Sequence, residues 1–368
     1  MYRVKLATIL VFSIFIYFQN YAQEMIPFSS DRWDIVAEEY ELIEFNGKEA
    51  LSMKGGIAYL KEVDFLNGTI EFDMAIPEQR GFMGAVWRLQ DRQNFEEFYV
   101  RPHQSGNPDA NQYTPVFNGL ASWQLYHGEG FGSPVEYVFD EWMHVKIVIK
   151  GQSGEVYIRD MENPALIIHE MKRELQSGMI GVEVGDFSPC RFANFGFTNE
   201  DNPELKGKIK PATDPIYGTV LSWNVSNSIP ENLIKDKIIL EDDFINGLLW
   251  TGIESENTGI TNLARLSDLT NGNTILVRLR INSDEDQMKG FQIGYSDRIQ
   301  VYVNNLILYS GQNEYRSRDY RYLGTIGYFD EVYLPLQKGT NELIITVTEN
   351  FGGWGIMGKF RNTEGIAY

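Results

Sequence analysis

Short segments that alternate apolar and polar residues recur along nearly the whole chain, and this pattern constrains the fold more than any other feature. One series lies between residues 57 and 197 and a second between residues 237 and 350, with Gly, Pro, Asn or Asp between the segments. No helical periodicity alternates with them, which favours antiparallel sheets over a parallel α/β arrangement. The pattern therefore predicts an all-β protein.

The two series are separated by a polar stretch, NEDNPELKGKIKPATDP, which carries three prolines. A chain of 368 residues is also long for one hydrophobic core. We therefore predict two antiparallel β-sandwich domains of the jelly-roll kind in tandem, at residues 24–200 and 215–368. Residues 201–214 are predicted to be the linker.

The N-terminus has the pattern of a secretory signal peptide. Arg3 and Lys5 precede an apolar run over residues 6–18, and the small Ala22 suits the position before a cleavage site. A membrane anchor is the alternative, but a spanning helix needs roughly 18 apolar residues and this run is shorter. We therefore expect residues 1–22 to be removed, leaving a secreted or periplasmic protein without membrane insertion.

Cysteine content and net charge further narrow the possible classes of protein and of binding partner. Cys190 is the only cysteine, so an intramolecular disulfide is excluded. The formal net charge is −19, and loss of Arg3 and Lys5 with the leader would make it −21. Such a chain repels phosphate backbones and anionic lipid surfaces, so nucleic acid is not an expected partner.

The segment around residues 94–126 combines strand-like alternation with many polar and aromatic side chains. If residues 95–103 are extended, alternate side chains share one face, opposite Phe98 and Val100. Aromatic rings beside paired donors and acceptors suit a sugar, whose C–H faces stack and whose hydroxyls form hydrogen bonds. Trp123 is a weaker candidate, because a strand at residues 122–127 would point it away from Tyr126. The predicted ligand-binding residues are Arg88, Glu97, Tyr99, Arg101, His103, Gln112, Tyr113 and Tyr126.

Acid–base candidates are few. Glu71 and Asp73 lie two apart in a strand pattern, with Cα atoms about 6.6 Å apart, but a solvated outer face explains them as well. Glu97 near Arg101 could serve as a base or form a cross-strand ion pair, and His103 could be a base, a sugar contact or a turn residue. The catalytic assignment stays open among Glu97, His103, Glu71 and Asp73.

One loop could hold a cation. Asn107, Asp109 and Asn111 alternate in SGNPDANQ, and Ca²⁺ accepts such oxygen ligands. The same residue types are typical of ordinary turns. We expect no cofactor, with a structural Ca²⁺ at this loop as the alternative.

The order of several blocks resembles a known superfamily. NGTIEFDMA, GFMGAVWRLQDRQNFEEFYVRPH, EWMHVKIVIKGQSGEVYI and SGMIGVEVGDFSPCRFANFGF resemble concanavalin A-like lectin/glucanase domains, including laminin G-like modules and the 3-keto-disaccharide hydrolase domain. GYSDRIQVYVNNLILYSG and LPLQKGTNELIITVTENFGGWG are similar to a galactose-binding-like jelly roll. Hydrolytic glucanases of the first kind carry E-x-D-x-x-E, whereas here Ile76 stands in the third acidic place and Pro77 follows. The resemblance implies fold more than activity.

Together these features predict an exported carbohydrate-binding protein, acting in glycan recognition or polysaccharide utilisation on an oligo- or polysaccharide. Two alternatives remain. The first is a glycoside hydrolase or related glycan-cleaving enzyme, and the second is an adhesion or envelope-structural module without a small ligand.

Overall fold

The computed structural model describes residues 23–368, and nearly all of its regular structure is antiparallel strand. The prediction of an all-β protein with β-sandwich architecture is confirmed. The predicted signal peptide, residues 1–22, lies outside the described residues. Among the residues described, no helix is long and apolar enough to cross a membrane.

Thirteen strands form one continuous hydrogen-bonded sheet in the first half. They are β1 (Glu24–Met25), β2 (Trp33–Phe45), β3 (Lys48–Leu60), β4 (Gly68–Ala75), β5 (Met83–Asp91), β6 (Asn94–Val100), β7 (Asn111–Phe117), β8 (Leu120–Ala121), β9 (Met143–Lys150), β10 (Ser153–Ile158), β11 (Leu166–Ile168), β12 (Met179–Val184) and β13 (Cys190–Asn199).

This sheet folds into two layers because the long strand β3 changes partner along its length. Its first half pairs with β13 through Leu51 and Met53, and its second half pairs with β12 through Ala58 and Tyr59. One layer therefore has the order β11-β10-β9-β4-β13 and the other the order β12-β5-β6-β7-β8. Apolar side chains from alternate positions of both layers form the main core between them.

The second half contains a seven-stranded and a four-stranded sheet. The first comprises β14 (Ser222–Ser226), β15 (Trp250–Glu254), β17 (Thr274–Ser283), β19 (Asp297–Val303), β20 (Leu306–Asn313), β22 (Gly339–Thr348) and β24 (Ile366–Ala367). The second comprises β16 (Thr261–Asn262), β18 (Gln287–Tyr295), β21 (Asp330–Leu336) and β23 (Gly355–Phe360), and one short helix, α1 (Asp242–Asn246), lies between β14 and β15.

A separate core lies between these two sheets, and Trp354 is buried within it. Asn304 and Asn305 both have positive φ and join β19 to β20, as expected of a tight hairpin turn. Residues 201–214 contain no helix or strand. Within them, the backbone amides of Lys206 and Gly207 donate to the buried carboxylate of Glu155, so this segment lies against the first group of strands.

The two groups of strands meet along a polar and apolar interface. The backbone of Gln124 pairs with that of Gly352 and Ile326, at 2.9 Å in each case. The Asn262 side chain donates to the Ser122 hydroxyl at 2.9 Å. Gly352 has a φ of +103°, and a Cβ there would meet the Gln124 side chain at 2.4 Å, so glycine permits this close approach.

Candidate functional site

A cleft of about 400 Å³ lies on the outer face of the β12-β5-β6-β7 layer, where that layer approaches the second group of strands. Cross-strand register sets Glu183 beside Gly84, Gly84 beside Tyr99 and Tyr99 beside Gln112. A Cβ on Gly84 would meet the Phe98 carbonyl oxygen at 1.9 Å, so only glycine allows the strands to lie this close. The cleft is lined by Arg80, Phe82, Met83, Gly84, Ala85, Glu97, Phe98, Tyr99, Arg101, His103, Gln104, Asp109, Ala121, Trp123, Glu183, Gly185, Asp186, Phe187, Tyr315, Arg316, Leu323 and Phe351.

Two carboxyl groups face this cleft: Glu97, which is buried, and Glu183, which is half-buried with a buried Oε2 atom. Burial and the neighbouring Glu183 carboxylate raise the pKa of Glu97 well above its ordinary value. Burial raises the pKa of Glu183 to about 7. The pair therefore holds at least one proton at neutral pH, and it can both donate and accept hydrogen bonds.

Arg101 lies next to this pair and is only 7% exposed. Its guanidinium donates to the Asp109 backbone carbonyl at 2.9 Å, to the Tyr99 hydroxyl at 2.9 Å and to the Gln112 side-chain oxygen. Gln112 in turn donates to the Trp123 carbonyl at 2.8 Å. Gln112 therefore positions Arg101 and the 122–126 turn.

His103 and the rings of Phe82 and Phe187 form the part of the cleft rim that belongs to the first group of strands. The His103 ring lies 5.5 Å from the Phe82 ring in an edge-on arrangement. Burial and the charges of Arg80 and Arg101 lower the pKa of His103, so it is neutral at neutral pH. Arg80 stacks over Phe187 at 4.7 Å. This rim offers a neutral imidazole and a guanidinium plane.

The opposite wall brings together residues far apart in the sequence. Trp123 contacts Phe351 edge-on at 5.6 Å, and Tyr315 lies 6.4 Å from Trp123. The Phe351 loop is held by its own backbone amide, which donates to the buried Asp297 carboxylate at 2.9 Å. Trp123, the weaker candidate from the sequence, lines the cleft and Tyr126 does not, and residues 123–125 form a turn and not a strand.

Of the predicted binding residues, Glu97, Tyr99, Arg101 and His103 line the cleft and Gln112 supports it from behind. Arg88 does not. A bulge follows Trp87 in β5, so Val86 and Leu89 share one face and Arg88 turns to the core side with a positive φ. Its guanidinium donates to the backbone carbonyls of residues 66 and 151.

Tyr113 and Tyr126 also lie outside the cleft. Tyr113 alternates with Gln112 and therefore faces the core, where its hydroxyl donates to Glu96 at 2.7 Å. Tyr126 is buried between the two groups of strands, with its hydroxyl donating to Glu256 at 2.5 Å. Both tyrosines stabilise packing and do not face the candidate site.

Glu71 and Asp73 lie on β4, in the other layer, and do not line the cleft. The sequence pattern suggested a solvated outer face for Asp73, but Asp73 is buried. Burial raises its pKa, but hydrogen bonds from His144, Lys48 and Asn194 outweigh burial and hold the pKa at about 2. Such a carboxylate stays ionised and cannot act as a general acid.

The proposed cation loop does not gather its three side chains. Asn107 donates to Gln104 at 2.9 Å, and buried Asn111 donates to the Ser133 carbonyl at 3.0 Å. Asp109 lines the cleft instead. Across residues 23–368, no group of three or more His, Cys, Asp or Glu residues is arranged to hold a metal ion.

Sequence reasoning missed Glu183 and the aromatic wall. Glu183 is the one charged residue in the apolar strand MIGVEV, which is a detectable but weak signal. Phe351 and Tyr315 come from loops of the second half, and no local pattern connects them with Glu97.

No protein-family model and no curated protein sequence matches this chain. Among solved structures, the chain is similar to the carbohydrate-binding module CBM66 from Bacillus subtilis, with 16% identity, 45% of this chain and 93% of that chain covered, and a TM-score of 0.34. It is also similar to a Bacillus licheniformis beta-glucanase (13% identity, 50% and 100% covered, TM-score 0.33) and to a Bacillus subtilis protein of unknown function with a galectin-like fold (13%, 45% and 89%, 0.36).

Proposed function

We propose that this protein is an exported saccharide-binding protein and that its ligand occupies the cleft between the two groups of strands. One observation carries the proposal. The cleft combines aromatic rings with a buried carboxylate oxygen, Glu183 Oε2, that has no hydrogen-bond partner among the described residues. Its volume lies within the range of small-molecule sites, roughly 300–1,000 Å³.

The aromatic wall supports a ligand with flat apolar faces. Trp123, Tyr315 and Phe351 contact one another edge-on and line the same cavity. Sugar rings present C–H faces that stack on such side chains, while their hydroxyls remain at the edges. A saccharide unit would fill the space beside these rings.

The polar floor supports a ligand rich in hydroxyl groups. Glu183 Oε2 is buried without a hydrogen-bond partner among the described residues. An unfilled buried acceptor costs free energy unless a ligand or water pairs with it. The Glu97 and Glu183 carboxyls, the Tyr99 hydroxyl and the Arg101 guanidinium together offer donors and acceptors to vicinal hydroxyls.

Export is proposed from the sequence. The basic residues Arg3 and Lys5, the apolar run and Ala22 have the order of a signal peptide. The mature protein would then meet extracellular or periplasmic glycans. N-terminal sequencing of the protein from a producing cell tests this point, since a mature N-terminus near residue 23 is expected.

A second candidate function, glycan cleavage, is favoured by the carboxyl pair. Glu97 and Glu183 share a cavity and retain a proton near neutrality, as a general acid and a base require. In this case Glu97 would protonate the leaving oxygen, and Glu183 would accept a proton from the water that attacks the anomeric carbon. The binding and cleavage hypotheses share one site and differ in whether products form.

The test measures binding and product release on the same samples. The purified mature protein is incubated with plant, algal and host polysaccharides, and affinity electrophoresis is run beside reducing-end and unsaturated-product assays. Trp123→Ala is expected to lower the affinity for the polysaccharide at least about tenfold, and so to lose retardation, because it removes a stacking face. Tyr333→Ala, which removes an exposed ring on β21, is the matched control.

Retardation without products establishes a binding protein. Products that vanish in both Glu97→Gln and Glu183→Gln establish an enzyme. If no polysaccharide is retarded or cleaved, the proposal is wrong and the structural-module alternative is favoured.

A further inference from the structure

We infer that the saccharide recognised in this cleft is acidic and that its carboxylate pairs with Arg101, with Arg80 and Arg316 contributing at the rim. This inference rests on the proposed function and names the ligand class. The juxtaposition behind it is three arginines around a single cavity, none of which forms an ion pair with a carboxylate of residues 23–368.

Arg101 is a buried cation whose hydrogen bonds all go to uncharged acceptors. These acceptors are the Asp109 backbone carbonyl, the Tyr99 hydroxyl and the Gln112 amide oxygen. Within the described part of the chain, no carboxylate oxygen lies within 4.0 Å of its guanidinium nitrogens. A buried charge without a countercharge is costly, so an anionic ligand would relieve that cost.

Another buried cation of the same protein shows the contrast. The Lys172 side chain is 7% exposed and forms ion pairs with Glu170 at 2.7 Å and Glu256 at 2.6 Å. Lys172 therefore carries its own countercharges, whereas Arg101 does not. A guanidinium also has five N–H donors in a planar fork, and only three hydrogen bonds from Arg101 are formed here.

The neighbouring carboxyl pair does not neutralise Arg101 at mildly acidic pH. Burial keeps a proton on Glu97, and burial raises the pKa of Glu183 to about 7. A protonated carboxyl donates a hydrogen bond, so one ligand carboxylate oxygen could accept from the pair while the other accepts from Arg101. The same pair would repel the ligand once it ionises.

The two rim arginines are held by rings instead of by carboxylates. Arg80 lies over Phe187 at 4.7 Å and Arg316 over Tyr315 at 4.9 Å. Both are exposed at the mouth of the cleft. With Arg101 they place three guanidinium groups around the cleft, beside the acidic residues Asp109 and Asp186 and the Glu97–Glu183 pair. The other titratable groups that face the cleft are Asp109, Asp186, His103, Tyr99 and Tyr315.

The experiment compares matched sugars by isothermal titration calorimetry at pH 5.5. The probes are trimers of galacturonate and mannuronate, their carboxyl-reduced neutral counterparts, and the sulfated neutral trimers. We expect a uronate trimer to bind at least about tenfold more tightly than its reduced counterpart, the factor typical of one charge-assisted contact. A preference for the sulfated trimer would instead identify a sulfate-ester ligand and overturn the carboxylate assignment.

Variants locate the contact. Arg101→Gln should lower the affinity for the uronate by a larger factor than the affinity for the reduced trimer, so that the preference for the uronate disappears. Because Arg101 is buried and its replacement could impair folding, Arg316→Gln is measured as well, with an expected loss of about threefold for the uronate only. Arg280→Gln, an exposed arginine on β17, controls for the loss of one positive charge.

The pH dependence provides an independent readout. Raising the pH from 5.5 to 8 should weaken uronate binding at least about fivefold in the parent protein and less in Glu183→Gln, because the pair then adds negative charge. Equal affinity for the acidic and neutral trimers overturns this inference but leaves the proposed function intact. Failure of every trimer to bind also overturns this inference, whereas the proposed function is overturned only if the polysaccharide panel is neither retarded nor cleaved.

Discussion

The two faces of strand β6 use the same residue type in opposite ways. Glu96 faces the core, where its carboxylate accepts from the Tyr113 hydroxyl at 2.7 Å and from the Arg173 amide at 3.1 Å. Glu97, the next residue, faces the cleft beside Glu183. Both carboxyls are buried, but Glu96 accepts hydrogen bonds from core groups, whereas the hydrogen-bond partner of Glu97 is a second carboxyl, that of Glu183, in the cleft.

This difference teaches that burial alone does not mark a functional carboxylate. Burial raises the pKa of Glu96 too, but two hydrogen bonds and the charges of Arg88 and Arg173 oppose the rise. Its hydrogen-bonding capacity is used within the fold. The Glu97 side of the strand leaves capacity unused, which fits a surface that pairs with a ligand.

The largest expected contrast is in stability. Glu96→Ala would leave the Tyr113 hydroxyl, the Arg173 amide and the Arg88 charge without their partner, so we expect a loss of about 4 kcal/mol in the free energy of unfolding. Glu97→Ala should change it by less than about 1 kcal/mol, because it also removes the cost of burying a carboxyl. Urea unfolding at pH 7 measures both. Equal losses in the two variants would mean that the faces are energetically alike.

The second contrast concerns pH. In the folded protein the pKa of Glu183 is about 7, above its ordinary value of 4.5, so the folded state keeps a proton that the unfolded chain releases. Stability attributed to this group is therefore present below about pH 4.5 and is lost as the pH rises to about 7. The loss would amount to at most about 3 kcal/mol.

Glu183→Gln tests this assignment by difference. Asp297 and Glu349, with pKa values of about 6 and about 8, titrate in the same direction in both proteins. The variant should therefore show a smaller fall in unfolding free energy between pH 5 and pH 8 than the parent protein. Parallel pH profiles for the two proteins would contradict the raised pKa of Glu183.

The smallest contrast compares two tyrosine hydroxyls. Tyr113→Phe removes a hydroxyl that donates to Glu96 and accepts from the Lys172 amide at 2.7 Å, so a loss of about 2 kcal/mol in stability is expected. Tyr99→Phe removes a hydroxyl that contacts Arg101 and Gln112, and should cost about 1 kcal/mol or less. The Tyr99 variant should instead lower saccharide affinity, and thermal unfolding with and without ligand distinguishes the two.

The sequence was sufficient for the fold class because alternation with period two is local. The same rule placed Glu97, Tyr99 and Arg101 on one face of the sheet. It failed at Arg88, where one inserted residue in a bulge reverses the alternation, and it does not apply at Trp123, where a turn replaces a strand. The alternation rule also places Tyr113, a predicted binding residue, on the face opposite to that of its neighbour Gln112.

The rest of the site depends on contacts that no local pattern encodes. Glu183 reaches Glu97 through strand order, since β12 pairs with β5 and β5 with β6. Phe351 reaches Trp123 only because the Gly352 backbone docks on Gln124. Such juxtapositions follow from tertiary packing.

The interface between the two groups of strands has a consequence for how the protein responds to its ligand. Phe351 and Tyr315 stand on one side of the cleft and Arg101 on the other, so a bound molecule would touch both sides at once. Binding of a ligand in the cleft and association of the two halves are then thermodynamically linked. A ligand at a hundred times its dissociation constant would strengthen that cohesion by about 2.7 kcal/mol. The proposed saccharide ligand would thus reversibly stabilise the association of the two halves.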